Sequence, residues 1–214
     1  GVQHTFEGLC AEMEILQAFR RGTGMPLQQP VLNDQGLFVT SAIDRAGQTT
    51  APCTVLSWVE GEGLAENDPR LPHVVEEFGR AAARMHRFAR SWHPAMPLAR
   101  PVYDLPKYRY LIGRSVTGIR QGLFTQAQYD VVLETMRAIA ALWAATPRTD
   151  ETWGIIHAAL GLGNWILAET ADGPQPVRID WCFSGYGPYL FDVGSMVIGY
   201  KPHLRPLYHA GYQR

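Results

Sequence analysis

Two short apolar runs in the last third of the chain restrict the fold more than any other feature. Trp165 to Ala168 and Val177 to Trp181 flank the turn sequence Asp172-Gly173-Pro174. Apolar runs of this length on both sides of a turn that contains Gly and Pro predict a β-hairpin. Because the second strand of a hairpin returns beside the first, residues at its open end are brought close together.

Three polar residues lie at the open end of this predicted hairpin. His157 and Asn164 precede its first strand, and Asp180 lies near the end of its second. An amide oxygen and a carboxylate near one point suit Mg²⁺ held against the phosphates of a nucleotide. Taken singly, Asn164 is more typical of a turn and Asp180 of an exposed strand end, so the indication depends on their spacing.

The N-terminal quarter predicts one helix and an antiparallel pair of strands. Apolar residues recur at helical spacing between Phe6 and Arg21, and Gly22-Thr23-Gly24 ends the pattern. Leu37 to Ile43 and Cys53 to Val59 follow as two strands, joined by the polar segment Asp44 to Pro52.

The middle of the chain predicts helices. Pro72 suits a first helical turn, and an apolar stripe with a period of 3.6 residues extends to Phe88. A weaker helical stretch spans Lys107 to Ile119, and Thr125 with Gln128 resembles a capping box that opens a further helix. The apolar residues predicted to face inward on that last helix are Tyr129, Val132, Leu133, Met136, Ile139, Ala140 and Trp143.

Composition excludes several classes of protein. With 19 basic and 20 acidic residues the formal net charge is −1, whereas binders of nucleic acid or anionic membranes usually carry a basic excess. No apolar run reaches the roughly 18 residues of a membrane span, and no signal peptide is evident, so we expect a cytoplasmic protein. The three cysteines, Cys10, Cys53 and Cys182, suit reduced core thiols better than a disulfide or zinc framework.

The segment from Gly154 to Trp181 resembles the catalytic loop of the aminoglycoside phosphotransferase family, small-molecule kinases that share the protein-kinase-like fold. In that family the loop reads His-x-Asp-Leu-x-x-x-Asn and is followed, after a short hairpin, by Ile-Asp-Phe or Ile-Asp-Trp. The matching residues are His157, Ala158, Leu160, Gly161, Asn164, Ile179, Asp180 and Trp181. The chain departs at one position, where Ala159 replaces the catalytic Asp of the family.

The resemblance implies roles for these residues and for others further along the chain. His157 would be a scaffold residue of the loop, and Asn164 and Asp180 would bind magnesium. Asp192, in the segment Gly185 to Asp192, would support the loop, although a helix N-cap is a rival role.

Two upstream segments resemble family elements that meet ATP. Ser57, Trp58 and Val59 correspond to the hinge between lobes, where backbone groups would meet adenine. The first helix resembles the one whose glutamate pairs with the ATP-binding lysine. Glu12 is our match for that glutamate, and Glu14 is its nearest competitor.

The implied fold is α+β and has two lobes. Residues 1–60 would form a partial N-lobe with the helix, two strands and the hinge, and residues 61–214 a mainly helical C-lobe with the catalytic-loop hairpin. The only lysines are Lys107 and Lys201, so the phosphate-binding lysine and the Gly-rich hairpin of the family have no counterpart in this sequence. We expect the terminal helices of the family to lie beyond Arg214.

Three functions follow from these expectations. The first is phosphorylation of a hydroxyl on a small, polar or amino-bearing molecule with ATP and Mg²⁺, impaired here by Ala159. The second is a pseudokinase that binds nucleotide or a protein partner without turnover. The third is a truncated remnant whose apolar helices stay exposed and associate. The sequence names neither the acceptor nor the oligomeric state.

Overall fold

The computed structural model describes residues 5–170 and 173–214, and the side chains of residues 49 and 50 lie outside the description as well. Its first helix, α1, spans Phe6–Thr23; the Thr5 side chain caps its N-terminus, and Gly24, at φ 64°, ends it. Because a left-handed residue cannot continue a helix, α1 stops there and the chain turns toward the first strands.

Three strands follow α1 and form an antiparallel sheet in the order β1-β3-β2. They are β1 (Pro30–Val31), β2 (Val39–Ile43) and β3 (Thr49–Leu56). Pro52 lies inside β3 rather than in the predicted connection. It is tolerated because β1 pairs with β3 only at Val55 and Leu56, so at Pro52 the strand has a single neighbour.

The C-terminal part contains the remaining helices and two small sheets. Its elements are β4 (Glu62–Gly63), α2 (Leu71–Ser91), α3 (Leu105–Arg120), α4 (Gln126–Ala145), β5 (Trp153–Ile156), β6 (Trp165–Thr170), β7 (Gly173–Arg178), β8 (Gly185–Pro188), α5 (Tyr189–Gly199) and α6 (Arg205–Tyr212). The predicted hairpin corresponds to β6 and β7, which pair in register from Trp165 with Arg178 to Thr170 with Gly173. Asp172, predicted in its turn, lies outside the described residues.

The main core forms where α2 packs against α1, α6 and the strand pair β5–β8. Phe78, Val75 and Met85 of the predicted apolar stripe are 0–1% exposed. Gly79 permits the close approach of α6, since a Cβ there would lie 2.2 Å from the Tyr208 carbonyl oxygen. Burial of this stripe is the principal stabilising term for α2.

Two expectations about burial need correction. The predicted face of α4 is the one that packs, since six of its seven residues are half-buried and only Val132, at 44% exposed, is not. That face is not part of the core, because α4 packs mainly on α3. The capping box of Thr125 and Gln128 is present as predicted. Cys10 and Cys53 are exposed and Cys182 is half-buried, so these thiols are not core residues.

Within residues 5–170 and 173–214, no helix combines the length and apolar character needed to cross a membrane.

Candidate functional site

The loop between β5 and β6 is held by one buried carboxylate. Asp192, on α5, is fully buried and accepts hydrogen bonds from the backbone N–H groups of His157 and Ala158, each at 2.8 Å. Ala158 has φ 64°, a left-handed conformation that costs a non-glycine residue about 1 kcal/mol or more. The two hydrogen bonds offset that cost and fix the start of the loop. Since α5 begins at Tyr189, Asp192 lies inside its first turn and is not the N-cap.

His157 joins this loop to the strand that leads to Asp180. Its Nδ1 accepts from the Ala159 N–H at 3.3 Å, so Nε2 carries the proton and donates to the Ile179 carbonyl at 3.0 Å. Complete burial, followed by the nearby Arg178 charge, holds the pKa of His157 well below its usual value. A neutral imidazole in this position acts as a scaffold and has no access to solvent.

Asn164 and Asp180 offer two oxygen ligands at the open end of the hairpin. The Asn164 amide nitrogen donates to the Ala159 carbonyl at 2.9 Å, which leaves Oδ1 as the side-chain atom available to a cation. The Ile179 N–H donates to the Asn164 carbonyl at 3.2 Å and ties the two segments together. Asp180 is exposed and has φ 60°, so its carboxylate projects from a sharp turn.

These two residues fit Mg²⁺ bound against phosphates better than a protein-only metal site. In the described residues no group of three or more His, Cys, Asp or Glu side chains is arranged to hold a metal. Mg²⁺ commonly takes one or two protein oxygens and completes its coordination with waters and substrate phosphates. Asn164 and Asp180 have the chemistry for that arrangement.

Ala159 lies in the middle of this loop and is half-buried. Its carbonyl accepts from Asn164, while its methyl side chain can neither accept a proton nor orient a hydroxyl. Position 159 therefore offers no general base.

Glu12 faces the same region from α1. It is 6% exposed and lies 3.5 Å from Arg100, measured from Oε2 to Nη1. Burial raises the pKa of Glu12, the Arg100 charge opposes that rise, and the Asp180 charge adds to it. Its competitor Glu14 is exposed, so only Glu12 approaches the other predicted residues.

The predicted hinge follows β3. Ser57 uses its backbone N–H and its hydroxyl to bond Gln29, at 2.8 Å each. In the described part of the chain the backbone groups of Trp58 and Val59 make no hydrogen bond, which leaves them available to a ligand. The Trp58 side chain is 82% exposed and does not line a closed pocket.

Three buried residues at the site were not predicted. His86 on α2 lies 3.2 Å from the Asp192 carboxylate through Nε2, and its Nδ1 lies 2.7 Å from the Tyr212 hydroxyl. The position of His86, four residues after Ala82 in the apolar stripe, was a signal that its side chain is buried. Arg178 and Arg100 carried no comparable signal.

Arg178 lies beneath the loop and is fully buried. Its guanidinium lies 4.2 Å from the centre of the Trp165 ring, and its Nη atoms lie 3.4 Å from the carbonyls of Asn164 and Ala159. Burial lowers the pKa of Arg178 to about 9, and the nearby Asp192 charge opposes that shift. The cation supports the underside of the loop and has no solvent-exposed role.

This geometry agrees with the sequence match to a known family. The model of the phosphotransferase enzyme family, APH, matches residues 3–214. The chain belongs to this family. No curated protein matches its sequence significantly.

Solved structures of the phosphotransferase family and related kinases share the fold. The amicoumacin kinase hAmiN, in complex with AMP-PNP, Ca²⁺ and Ami, superposes with a TM-score of 0.73 at 16% identity, covering 99% of this chain and 62% of that one. The microcompartment-associated aminopropanol kinase superposes with a TM-score of 0.68 at 19% identity, covering 98% of this chain and 65% of that one. A choline/ethanolamine kinase family protein from Mesorhizobium loti superposes with a TM-score of 0.60 at 16% identity, covering 95% of this chain and 59% of that one.

The chain spans less than two thirds of the length of these three proteins. At such identities the likeness shows the kinase-like fold, and the α+β fold predicted from the sequence is confirmed.

Proposed function

We propose that this chain is the nucleotide- and metal-binding part of a small-molecule kinase, which transfers the γ-phosphoryl group of ATP to a hydroxyl. The observation that supports this most directly is the placement of Asn164 and Asp180 at the open end of one hairpin, braced by His157 and Asp192. Residues 1–60 would form the partial N-lobe and residues 61–214 the C-lobe.

The proposed reaction forms a bond between the acceptor oxygen and the γ-phosphorus while the bond from that phosphorus to the ADP oxygen breaks. Mg²⁺, when bound, neutralises charge on the phosphates. In this chain Asn164 and Asp180 would hold it, and the free backbone groups of Trp58 and Val59 would meet the adenine. The hydroxyl proton has no acceptor at position 159, so in this chain it passes to solvent water.

An amino-bearing alcohol is the acceptor class that we propose. Two of the neighbours named above are, by their names, kinases of aminopropanol and of choline or ethanolamine, which are small hydroxyl compounds with a cationic nitrogen. Their names support this class for the family fold, and no residue of this chain selects a particular member.

The test restores the missing carboxylate. Ala159→Asp is expected to raise ATP-dependent phosphorylation of amino alcohols by about 10²–10⁴-fold, the usual contribution of a positioned general base. Ala159→Asn is the matched control, because it has a similar size but accepts no proton at neutral pH. Phosphorylated acceptor is measured by mass spectrometry, together with ADP release.

A non-catalytic nucleotide-binding protein is the second candidate, favoured by the alanine itself. If MgADP raises the melting temperature of the unmodified chain while Ala159→Asp gives no turnover on any acceptor, this candidate replaces the first. If neither ATP nor ADP binds with or without Mg²⁺, both candidates are wrong.

A further inference from the structure

Arg100 connects α1 to the segment that follows Asp180. It lies in the connection between α2 and α3, and its side chain is completely buried. On the α1 side, Nη1 donates to the Gly8 carbonyl at 3.0 Å and lies 3.5 Å from Glu12 Oε2. The guanidinium is therefore fixed to the face of α1 that carries Glu12.

On its other side the same guanidinium binds the turn directly after Asp180. Nε donates to the Ser184 carbonyl at 2.6 Å, and Nη2 donates to the carbonyls of Cys182 at 2.6 Å and Trp181 at 3.2 Å. Nη2 also lies 3.1 Å from the Ser184 hydroxyl. Three carbonyls from four consecutive residues thus converge on one planar, five-donor group, a geometry that the point charge of lysine cannot reproduce.

The turn needs such support because of how it begins. Asp180 has φ 60° and ψ 67°, a left-handed conformation that is uncommon for a residue with a Cβ and that the surrounding structure must stabilise. Its carboxylate is exposed, makes no ion pair among the described residues and accepts a hydrogen bond from the Cys182 thiol, inside the turn that Arg100 binds. The direction of that carboxylate therefore depends on the turn that follows it.

Charge points to the same role. Glu12 and Asp180 are two carboxylates that repel each other across the site, and Arg100 is the cation in contact with the buried one. Because Arg100 balances the charge of Glu12, the Asp180 carboxylate stays available to an added cation.

We propose that Arg100 is a positioning residue that sets the direction of the Asp180 carboxylate and, through it, the metal-dependent part of nucleotide binding. The proposal rests on the proposed nucleotide and metal site. It assigns Arg100 no contact with the nucleotide or the metal.

The experiment measures ADP affinity by calorimetry in the presence and in the absence of Mg²⁺, on the unmodified chain and on Arg100→Lys. Lysine keeps the positive charge but lacks the planar set of N–H donors of the guanidinium. Arg70→Lys is the matched control, because the Arg70 guanidinium also donates to several oxygen atoms, here those of Glu62 and Asp68, but lies on the surface. In Arg100→Lys we expect the ADP affinity measured without Mg²⁺ to be unchanged. The Mg²⁺ gain, which is the factor by which Mg²⁺ raises ADP affinity, should be about 10- to 100-fold smaller than in the unmodified chain, as for other groups that orient a metal ligand. Arg70→Lys should keep the whole gain.

Two results would overturn the proposal. One is a full Mg²⁺ gain in Arg100→Lys, and the other is an equal loss of affinity with and without Mg²⁺, which indicates a structural role only. If circular dichroism shows that Arg100→Lys does not fold, Ser184→Ala decides instead. This variant removes the Ser184 hydroxyl, one of the groups that accept a hydrogen bond from Arg100, so it should reduce the Mg²⁺ gain by less than Arg100→Lys would. An unchanged Mg²⁺ gain counts against the proposal.

Hydrogen exchange separates this inference from the proposed function. The Ser184 N–H donates to the Trp181 carbonyl at 2.9 Å inside the turn, and its exchange should be faster in Arg100→Lys than in Arg70→Lys. If the unmodified chain binds no nucleotide, the proposed function fails by itself. Unchanged exchange at Ser184 then refutes the positioning role as well, and faster exchange supports it.

Discussion

Asp192→Asn tests whether one buried carboxylate holds the loop in place. The carboxylate accepts two backbone N–H groups at 2.8 Å and faces His86 Nε2 at 3.2 Å. An amide of the same shape accepts through one oxygen only, and its NH₂ group then faces a donor. With its oxygen at the Oδ2 position the amide keeps the contacts to His157 and His86 but loses that to Ala158, and the two that remain lose their charge assistance; a buried charge-assisted bond contributes about 1.5–3 kcal/mol.

The expected loss in the free energy of unfolding is therefore about 3–5 kcal/mol, the range for breaking a buried charged network on one side. Urea unfolding monitored by circular dichroism measures it, with the slope m unchanged if the denatured state is unaffected. Asp130→Asn is the control, because Asp130 is exposed on α4 and bonds only Gln126; its effect should stay within about 0.5 kcal/mol.

The pH dependence gives a second measurement of the same contacts. Burial alone would raise the pKa of Asp192, but the hydrogen bonds that its carboxylate accepts from the His86 side chain and the His157 backbone outweigh burial, so the pKa is lowered. A carboxyl group with a lowered folded-state pKa stabilises the fold above its unfolded pKa, and this contribution is lost as the pH falls through that value toward the folded one. The difference between the unmodified chain and Asp192→Asn should thus be full at pH 6 and shrink below about pH 4. A loss under about 1 kcal/mol at pH 6 would refute the assigned role.

Three further predictions use local features of the chain. Ala158→Gly should be neutral or stabilise by up to about 1 kcal/mol, since glycine relieves φ 64°, whereas Ala138→Gly on exposed α4 should destabilise by about 0.5–1 kcal/mol; equal effects in urea unfolding would contradict this. Gly79→Ala should lower the melting temperature strongly because its Cβ would meet the backbone of α6, and Gly113→Ala, in open space on α3, should raise it slightly; similar shifts in calorimetry would show that the α2–α6 contact is not close. Burial lowers the pKa of His157, so its contribution to the free energy of unfolding is full above about pH 6.5 and falls below that pH by at most about 1.4 kcal/mol per pH unit. Urea unfolding between pH 7 and 5 should therefore show a smaller change of this free energy with pH in His157→Gln than in the unmodified chain. An identical change in both would mean that His157 is not buried in its neutral form.

Periodicity predicted the inward face of both α2 and α4, but it did not predict how deeply each face is buried. Both helices carry apolar residues at helical spacing, but only the stripe of α2 meets other elements on several sides. A pattern shows that a face can be buried, and whether a partner covers it depends on the arrangement of the whole chain. The cysteines were misjudged for the same reason.

What the sequence determined by itself was local: the hairpin, the main helices, and the positions of His157, Asn164, Asp180 and Ala159 along one short segment. Spacing of a few residues fixes such features because hairpins and turns join neighbours in the chain. Only the tertiary structure decided what supports them. Arg100 reaches partners more than 80 residues away on both sides, and His86 meets Asp192 across 106 residues. Contacts at such separation depend on how α1, α2 and α5 pack around the core, and no local pattern records them.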